Sequence, residues 1–224
     1  MRDPQWVSRV VLMGLISLIP IVGQLVLLGW MLAALDNLRT GRYELPDPGF
    51  SYIGRGFNLF VVLLVYGLAI AMVFVVLFLA GGGLVVAASS STNSGALAVL
   101  GGLILGIDYL ATFALAVCYG LLTPVIVLRT DLGGIGGGLN AAEVVGDARR
   151  FLVPTLLAGL LTYVGHLIAG AGAALCVVGL IFTAPYGYSV IAGVLRYYEQ
   201  QLRGQGATAP PPPGPNQPNY PTST

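Results

Sequence analysis

The stretch FNLFVVLLVYGLAIAMVFVVLFLA, residues 57–80, contains no charged residue. It exceeds the length of about 20 apolar residues that a membrane-spanning helix needs. Apart from Asp108, the uncharged run around it continues from Phe57 to Leu128, which is too long for one span. Gly81-Gly82-Gly83 and the polar turn SSSTNS, residues 89–94, interrupt the run midway. This pattern predicts a helical hairpin that crosses the bilayer twice.

The composition of the chain is typical of an integral membrane protein. Hydrophobic residues make up 56% of the sequence and charged residues 8%, and the mean hydropathy is +0.86. Soluble proteins carry about 25% charged residues. We therefore expect one integral membrane domain, residues 1–203, followed by a Pro-rich tail, residues 204–224, whose composition predicts disorder. The net charge of +1 gives no reason to expect a nucleic-acid partner.

A second long apolar run, from Phe151 to Leu195, predicts a second hairpin with its turn near Gly170 to Gly179. The two hairpins then place every arginine after residue 30 on one side of the membrane. By the positive-inside rule that side is cytoplasmic. The sequence thus predicts an all-α polytopic transmembrane bundle in the plasma membrane, with loops 36–55 and 129–150 and the C-terminus in the cytoplasm.

The first apolar segment, Val7 to Leu35, permits two interpretations, because Pro20 lies in its middle. As one kinked helix, the segment places the N-terminus outside the cell. As a re-entrant pair of helices broken at Pro20, it keeps the N-terminal arginines with the others. A proline removes one backbone donor, so a break there needs protein neighbours that satisfy the freed carbonyl. A weak internal similarity between residues 19–39 and 183–203 favours the broken form.

The stretch GGIGGGLNAAEVVGDARR, residues 133–150, superficially matches a dinucleotide-binding loop. That spacing has meaning only after a buried strand, whereas here an apolar helix precedes the glycines, so we expect no nucleotide. From Asn140 onward the apolar residues follow helical periodicity, and Asn140 and Glu143 have the spacing of a capping box. The stretch predicts a glycine hinge and an interfacial amphipathic helix with an apolar stripe. The stripe comprises Ala141, Val144, Val145, Ala148, Phe151 and Leu152.

The loop from Arg39 to Phe57 offers two further interpretations. Gly41 ends a helix, the Leu45-Pro46 and Asp47-Pro48 pairs favour an extended turn, and several aromatic residues lead into the next span. The loop is either a structured connector with its aromatics at headgroup level or a docking site for a partner protein. The Pro-rich tail is a second candidate for binding a protein partner.

Three stretches carry a family resemblance. They are IPIVGQLVLLGWMLAALDNLRTGRYELPDP (19–48), TPVIVLRTDLGGIGGGLNAAEVV (123–145) and APYGYSVIAGVLRYYEQQLRG (184–204). Together they resemble the prokaryotic membrane family known as domain-of-unknown-function family 4013, over about residues 5 to 205. The resemblance implies a multi-pass membrane protein, and it implies no reaction, ligand or catalytic residue.

Two ionisable residues in apolar runs are the candidate site residues. Asp108 is the acid inside the run from Ala96 to Leu128, and His166 is the single histidine of the chain. Ionisable groups at bilayer depth cost at least about 2.5 kcal/mol unless they are paired or hydrated, so both are candidates for function. The alternative without a functional role is a polar pair at the outer membrane–water interface. No catalytic residue, cofactor or metal site is expected, and Cys118 and Cys176 are predicted to be buried apolar residues.

These observations leave two main hypotheses and a weaker third. The first is a non-enzymatic scaffold or envelope-associated assembly partner. The second is a small-solute or proton carrier that uses Asp108 and His166 in a cavity between helices. The third, an intramembrane hydrolase, needs a nucleophile with a base in reach, and the chain has one histidine.

Overall fold

The computed structural model describes residues 5–89 and 94–204, without the side chains of residues 94 and 175–177. Within these residues the regular structure is helical throughout, with no strand. The helices are α1 (Trp6–Ser17), α2 (Val22–Arg39), α3 (Ile53–Ala88), α4 (Ser94–Leu139), α5 (Ala141–Arg150), α6 (Leu152–Ala171) and α7 (Cys176–Gly204). Short 3-10 turns at Phe50–Tyr52 and Gly172–Leu175 precede α3 and α7.

Within residues 5–89 and 94–204, four helical segments are long and apolar enough to cross a membrane. They are Phe50–Ala88, Gly95–Leu139, Leu152–Ala174 and Val178–Gly204. They carry many large apolar side chains on their outer surfaces, among them Met72, Leu110 and Leu167. In a lipid environment such side chains face acyl chains, so this exposure carries no cost. The predicted all-α transmembrane fold and its four spans are confirmed.

The chain divides into two compact units. One consists of Met1–Val62 with Leu121–Thr224, and we call it the main unit; the other is Leu63–Gly120, which we call the hairpin unit. The main unit contains α1, α2, α5, α6, α7 and the ends of α3 and α4 that flank the hairpin unit. The predicted tail lies outside the described residues, except for Gly204 at the end of α7.

The first apolar segment is broken, as one of its two interpretations expects. The segment Pro20-Ile21-Val22 forms a γ-turn in which the Val22 amide donates to the Pro20 carbonyl at 2.7 Å. Ile21 has φ 64° and ψ −61°, a conformation that is rare and strained for a residue with a Cβ. The chain then folds back on itself. This is shown by Arg9 near the start of α1, which donates to the carbonyl of Leu45 beyond the end of α2. The start of α1 and the end of α2 therefore lie at the same end of this helix pair.

Glycines allow the helices of the main unit to approach closely. A Cβ at Gly14 of α1 would collide with the backbone of Ile181 in α7, and one at Gly29 of α2 would collide with the backbone of Tyr52. In α6, Gly159 meets the backbone of Leu121 in the same way. Small residues at helix contacts are the usual means of tight association in membranes. An apolar core forms beside α1 and α2, comprising Val10, Met13, Val26, Leu27, Trp30, Leu45 and Tyr52.

In the hairpin unit, α3 and α4 run side by side, and one expectation about them is wrong. Gly81-Gly82-Gly83 does not interrupt the first span, because α3 continues through all three glycines to Ala88. Gly81 instead faces Gly101 of α4, where an added Cβ would lie 2.7 Å from the Gly81 carbonyl oxygen. Lipid offers no competing hydrogen-bond partner to the backbone, so glycine breaks a helix less readily there than in water.

The predicted glycine hinge is confirmed, and it lies near the end of α4. Helix α4 passes through a non-helical Gly134 with φ 64° and ψ −157°, and α5 begins at Ala141. The side chain of Asn140 accepts a hydrogen bond from the Glu143 amide at 3.4 Å, as the capping spacing predicts. The apolar stripe is narrower than expected. Val144, Ala148 and Phe151 are buried, whereas Ala141, Val145 and Leu152 remain exposed.

Candidate functional site

Six charged side chains meet where α2, α3, α4 and α7 come together in the main unit. We call this group the ionic cluster; it consists of Asp36, Arg39, Arg55, Asp131, Arg196 and Glu199. The sequence predicts these residues on one side of the membrane, in loops 36–55 and 129–150 and near the C-terminus. The structure instead joins them through one continuous set of ion pairs.

Arg39 is the centre of the cluster. Its Nε donates to both carboxylate oxygens of Glu199, at 2.9 and 3.2 Å, and its Nη2 also pairs with Glu199. Its Nη1 donates to Asp131 at 2.7 Å and to Asp36 at 2.8 Å. Burial by itself lowers the pKa of Arg39, but the hydrogen bonds and charges of Glu199 and Asp131 outweigh burial and raise its pKa above the ordinary value. Arg39 therefore stays charged at every physiological pH.

Arg55 repeats this arrangement from α3. Its Nε and Nη2 donate to one oxygen of Asp131, at 3.0 and 2.5 Å, and its Nη1 pairs with Asp36. Two acids, Asp36 and Asp131, thus bridge Arg39 and Arg55. Arg196 completes the cluster by donating to Glu199 at 3.2 Å.

Three arginines balance three acids, so the cluster is electrically neutral. The side chains of Asp131 and Glu199 are each only 1% exposed. Removing one partner of a buried pair leaves an uncompensated charge, which typically costs about 3–5 kcal/mol. The sequence signals available were the spacings Asp36–Arg39 and Arg196–Glu199, each three residues apart on a helix. Those spacings suggest local pairs and do not reveal that Arg39 of the first pair also binds Glu199 of the second.

The loop between α2 and α3 is held in place by side chains from both preceding helices. Trp30 Nε1 donates to the Pro46 carbonyl at 2.9 Å, and Asn37 Nδ2 donates to the Glu44 carbonyl at 3.0 Å. Arg9 donates to the Leu45 carbonyl at 2.5 Å and pairs with Asp47 at 3.1 Å. The predicted helix end is confirmed, because Gly41 adopts φ 76° directly after α2. The Leu45 side chain is buried beneath the loop.

The outer surface of this loop carries exposed aromatic residues. Tyr43 is 67% exposed and Phe50 is 51% exposed. Tyr52 points the other way: its ring is buried and its hydroxyl donates to the Asp47 carbonyl at 2.9 Å. The loop therefore has a fixed backbone and presents two aromatic rings outward.

Arg129 fastens α5 to α4. Its guanidinium donates to Asp147 at 2.8 Å through Nε and at 2.7 Å through Nη2, and it also pairs with Glu143. Asp147 and Arg150 lie three residues apart on α5, a spacing that permits an ion pair along one helix. Asp147 is instead drawn to Arg129, while the guanidinium carbon of Arg150 lies 5.4 Å from the centre of the Phe151 ring.

Asp108 lies in the hairpin unit and is fully buried there. Its Oδ1 accepts a hydrogen bond from Thr112 at 3.3 Å, one turn along the same helix. Its Oδ2 has no hydrogen-bond partner among the described residues. The neighbouring Tyr109 ring meets Phe74 of α3 edge-on at 6.4 Å.

His166 lies in the main unit, near the turn between α6 and α7. Its Nδ1 is 2.9 Å from the Thr162 carbonyl oxygen of its own helix, and its ring meets Tyr188 of α7 edge-on at 6.2 Å. Asp108 and His166 therefore belong to different units.

Cys118 was predicted to be buried, but its side chain is exposed. Because it lies in a candidate spanning helix, this surface is accessible to lipid. Among the described residues, no three or more histidine, cysteine, aspartate or glutamate side chains are grouped so that they could hold a metal ion.

Most of the chain matches a known protein family. Residues 12–178 match a family described as "Protein of unknown function (DUF4013)". The chain belongs to the DUF4013 family. The match contains the loop, α5, Asp108 and His166, whereas Arg196 and Glu199 of the ionic cluster lie beyond it. Comparison with curated proteins finds no match, and comparison with solved structures finds none either. The family resemblance noted in the sequence is thus confirmed over a somewhat shorter range.

Proposed function

We propose that this DUF4013 protein is a non-enzymatic scaffold of a prokaryotic plasma membrane that presents a preformed cytoplasmic surface to a protein partner. In this proposal loops 36–55 and 129–150 and the C-terminus face the cytoplasm, as the distribution of arginines favours. The observation that carries the proposal is the loop between α2 and α3. Its backbone is fixed from inside by Arg9, Trp30 and Asn37, yet Tyr43 and Phe50 remain exposed.

A fixed backbone favours binding because little conformational entropy is lost when a partner docks. Tyrosine and other aromatic side chains are enriched at the centres of protein interfaces. Headgroup-level aromatic anchors have the same composition, so lipid contact is the competing explanation. The two explanations differ in what lies against Tyr43 in the native membrane.

Photocrosslinking separates these explanations. A photoreactive benzoyl-phenylalanine replaces Tyr43 or Phe50 in the full chain, and native membranes are irradiated before mass spectrometry. We expect the same protein adduct from both positions. Leu68, which is 58% exposed within the first span, is the control position and should give lipid adducts. Lipid adducts alone at positions 43 and 50 would reject the docking surface.

Loosening the loop provides a second test. Trp30→Phe keeps a large buried ring but removes the donor to the Pro46 carbonyl. If docking needs the fixed backbone, the crosslinking yield at position 43 should fall while the yield at Leu68 stays the same. An unchanged yield at position 43 would mean that rigidity of the loop plays no part in docking.

A carrier of protons or small solutes is the second candidate, and Asp108 is the observation that favours it. A fully buried carboxylate oxygen without a partner in a spanning helix is typical of ion pathways. Reconstituted vesicles containing the native chain or Asp108→Asn test this function through proton flux. Equal flux with both proteins would remove Asp108 from any transport mechanism.

A further inference from the structure

In the main unit most acidic side chains form ion pairs, whereas several arginines do not. Asp36, Asp131 and Glu199 are neutralised in the ionic cluster, and Asp47 pairs with Arg9. Glu143 and Asp147 are both taken by Arg129. Within the described part of this unit, the arginines that form no ion pair with an acid are Arg42, Arg149, Arg150 and Arg203. Glu44 is the single acid left to offset them there.

Three of these arginines lie at the same end of the α6–α7 hairpin. The hydroxyls of Thr155 and Tyr198 lie 2.9 Å apart, which sets the register between the two helices. Arg150 precedes Thr155 by five residues, and Arg203 follows Tyr198 by five residues. Arg149 and Arg150 directly before α6 and Arg203 at the end of α7 therefore lie at the same end of the hairpin, and all three are exposed.

These arginines also lie at the ends of two candidate membrane spans. The third candidate span begins at Leu152, so Arg149 and Arg150 precede it by three and two residues. Arg203 is one residue from the end of the fourth span. Leu152 and Val153 next to them are exposed apolar residues, as expected for contact with acyl chains. Charged groups at this height meet lipid phosphates.

We propose that Arg149 and Arg150, assisted by Arg203, form a binding surface for the phosphates of anionic phospholipids. Two features of the chain make this surface basic. Arg129 neutralises the acids of α5, and burial of Val144 and Ala148 orients the helix so that its remaining charges stay exposed. Guanidinium groups match phosphate oxygens in a bidentate geometry. This inference does not depend on the proposed scaffold function.

The test measures lipid preference of the full chain in phosphatidylcholine bilayers. Spin-labelled phosphatidylglycerol or spin-labelled phosphatidylcholine is added, and the fraction of motionally restricted label gives the relative association of each lipid. We expect the native chain to prefer phosphatidylglycerol by about fivefold or more, since a basic residue near a membrane surface contributes about that factor. The preference should fall at 1 M salt, because exposed charges are screened.

Variants assign the preference to these arginines. Arg149→Gln with Arg150→Gln should remove most of it, whereas Arg149→Lys with Arg150→Lys should retain most of it. Arg42→Gln, a free arginine that does not border a candidate span, is the matched control and should keep the full preference. Retention by the double glutamine variant would overturn the proposal. Equal association of the two lipids with the native chain would also overturn it, even if the glutamine variant does not fold, and would point to an acidic protein partner instead.

Discussion

Arg39 and Glu199 are separated by 160 positions in sequence and share a bidentate ion pair that joins α2 to α7. Glu199 is almost fully buried, so its charge is compensated by protein and not by water. The pair links the folded-back N-terminal helices to the last span. We therefore regard the ionic cluster as the feature that holds the ends of these helices together.

A double-mutant cycle tests this role. Glu199→Gln leaves Arg39 without its main partner and should reduce the free energy of unfolding by about 3 kcal/mol. Arg39→Gln should cost a similar amount, because it leaves the buried Glu199 with Arg196 alone and the buried Asp131 with Arg55 alone. The double variant should lose less than the sum of the single losses, by about 1–3 kcal/mol. Thermal or denaturant unfolding in detergent provides the measurement, with exposed Glu44→Gln as a control of near-zero effect. Strict additivity would show that the two residues are not energetically coupled.

The γ-turn at Ile21 predicts an unusual order of substitutions. Ile21 is 68% exposed and has φ 64°, so its side chain contributes little packing while its Cβ strains the backbone. Ile21→Gly should therefore be more stable than Ile21→Ala by about 1 kcal/mol, the reverse of the order within a helix. Unfolding of the two variants in the same detergent measures the difference. An alanine variant at least as stable as the glycine variant would contradict the turn.

Gly23, two residues later, should respond in the opposite way. A Cβ there would lie 2.5 Å from the Ile16 carbonyl oxygen and 2.7 Å from the Ser17 backbone. Gly23→Ala should therefore destabilise the helix pair by about 1–3 kcal/mol, because backbone atoms have to move apart. The same unfolding assay applies, and a neutral result would show that α1 and α2 are not in close contact.

Neighbouring glycines in α4 offer a matched pair within the hairpin unit. Gly101 faces α3, and a Cβ there would lie 2.7 Å from the Gly81 carbonyl oxygen, whereas Gly102 has nothing within 4 Å. Gly101→Ala should destabilise the hairpin by about 1–3 kcal/mol. Gly102→Ala should be neutral or stabilising by up to about 1 kcal/mol, as expected from helix propensity. Equal effects at both positions would contradict the finding that Gly101, and not Gly102, lies on the face of α4 that contacts α3.

The sequence predicted those features that depend on neighbours along the chain. The length of the apolar runs located both hairpins, Asn140 with Glu143 located the start of α5, and Gly41 located the end of α2. Features that depend on distant contacts were not predictable. Glu199 pairs with Arg39 from the other end of the chain. Asp147 pairs with Arg129 of α4 and not with Arg150 of its own helix. The prediction that Gly81-Gly82-Gly83 interrupts the apolar run was wrong, because glycine in a spanning helix indicates close contact between helices more often than a turn.

Cysteine labelling in intact cells tests the folded-back, single-sided arrangement most directly. In a background with Cys118 and Cys176 replaced by alanine, single cysteines are placed at Ser8 in α1, Arg42 after α2 and Ser89 after α3. A membrane-impermeant maleimide should react with Ser89→Cys from outside. Ser8→Cys and Arg42→Cys should react only after the membrane is opened. Labelling of Ser8→Cys from outside, together with Ser89→Cys, would show that the first segment crosses the membrane once and would contradict this account.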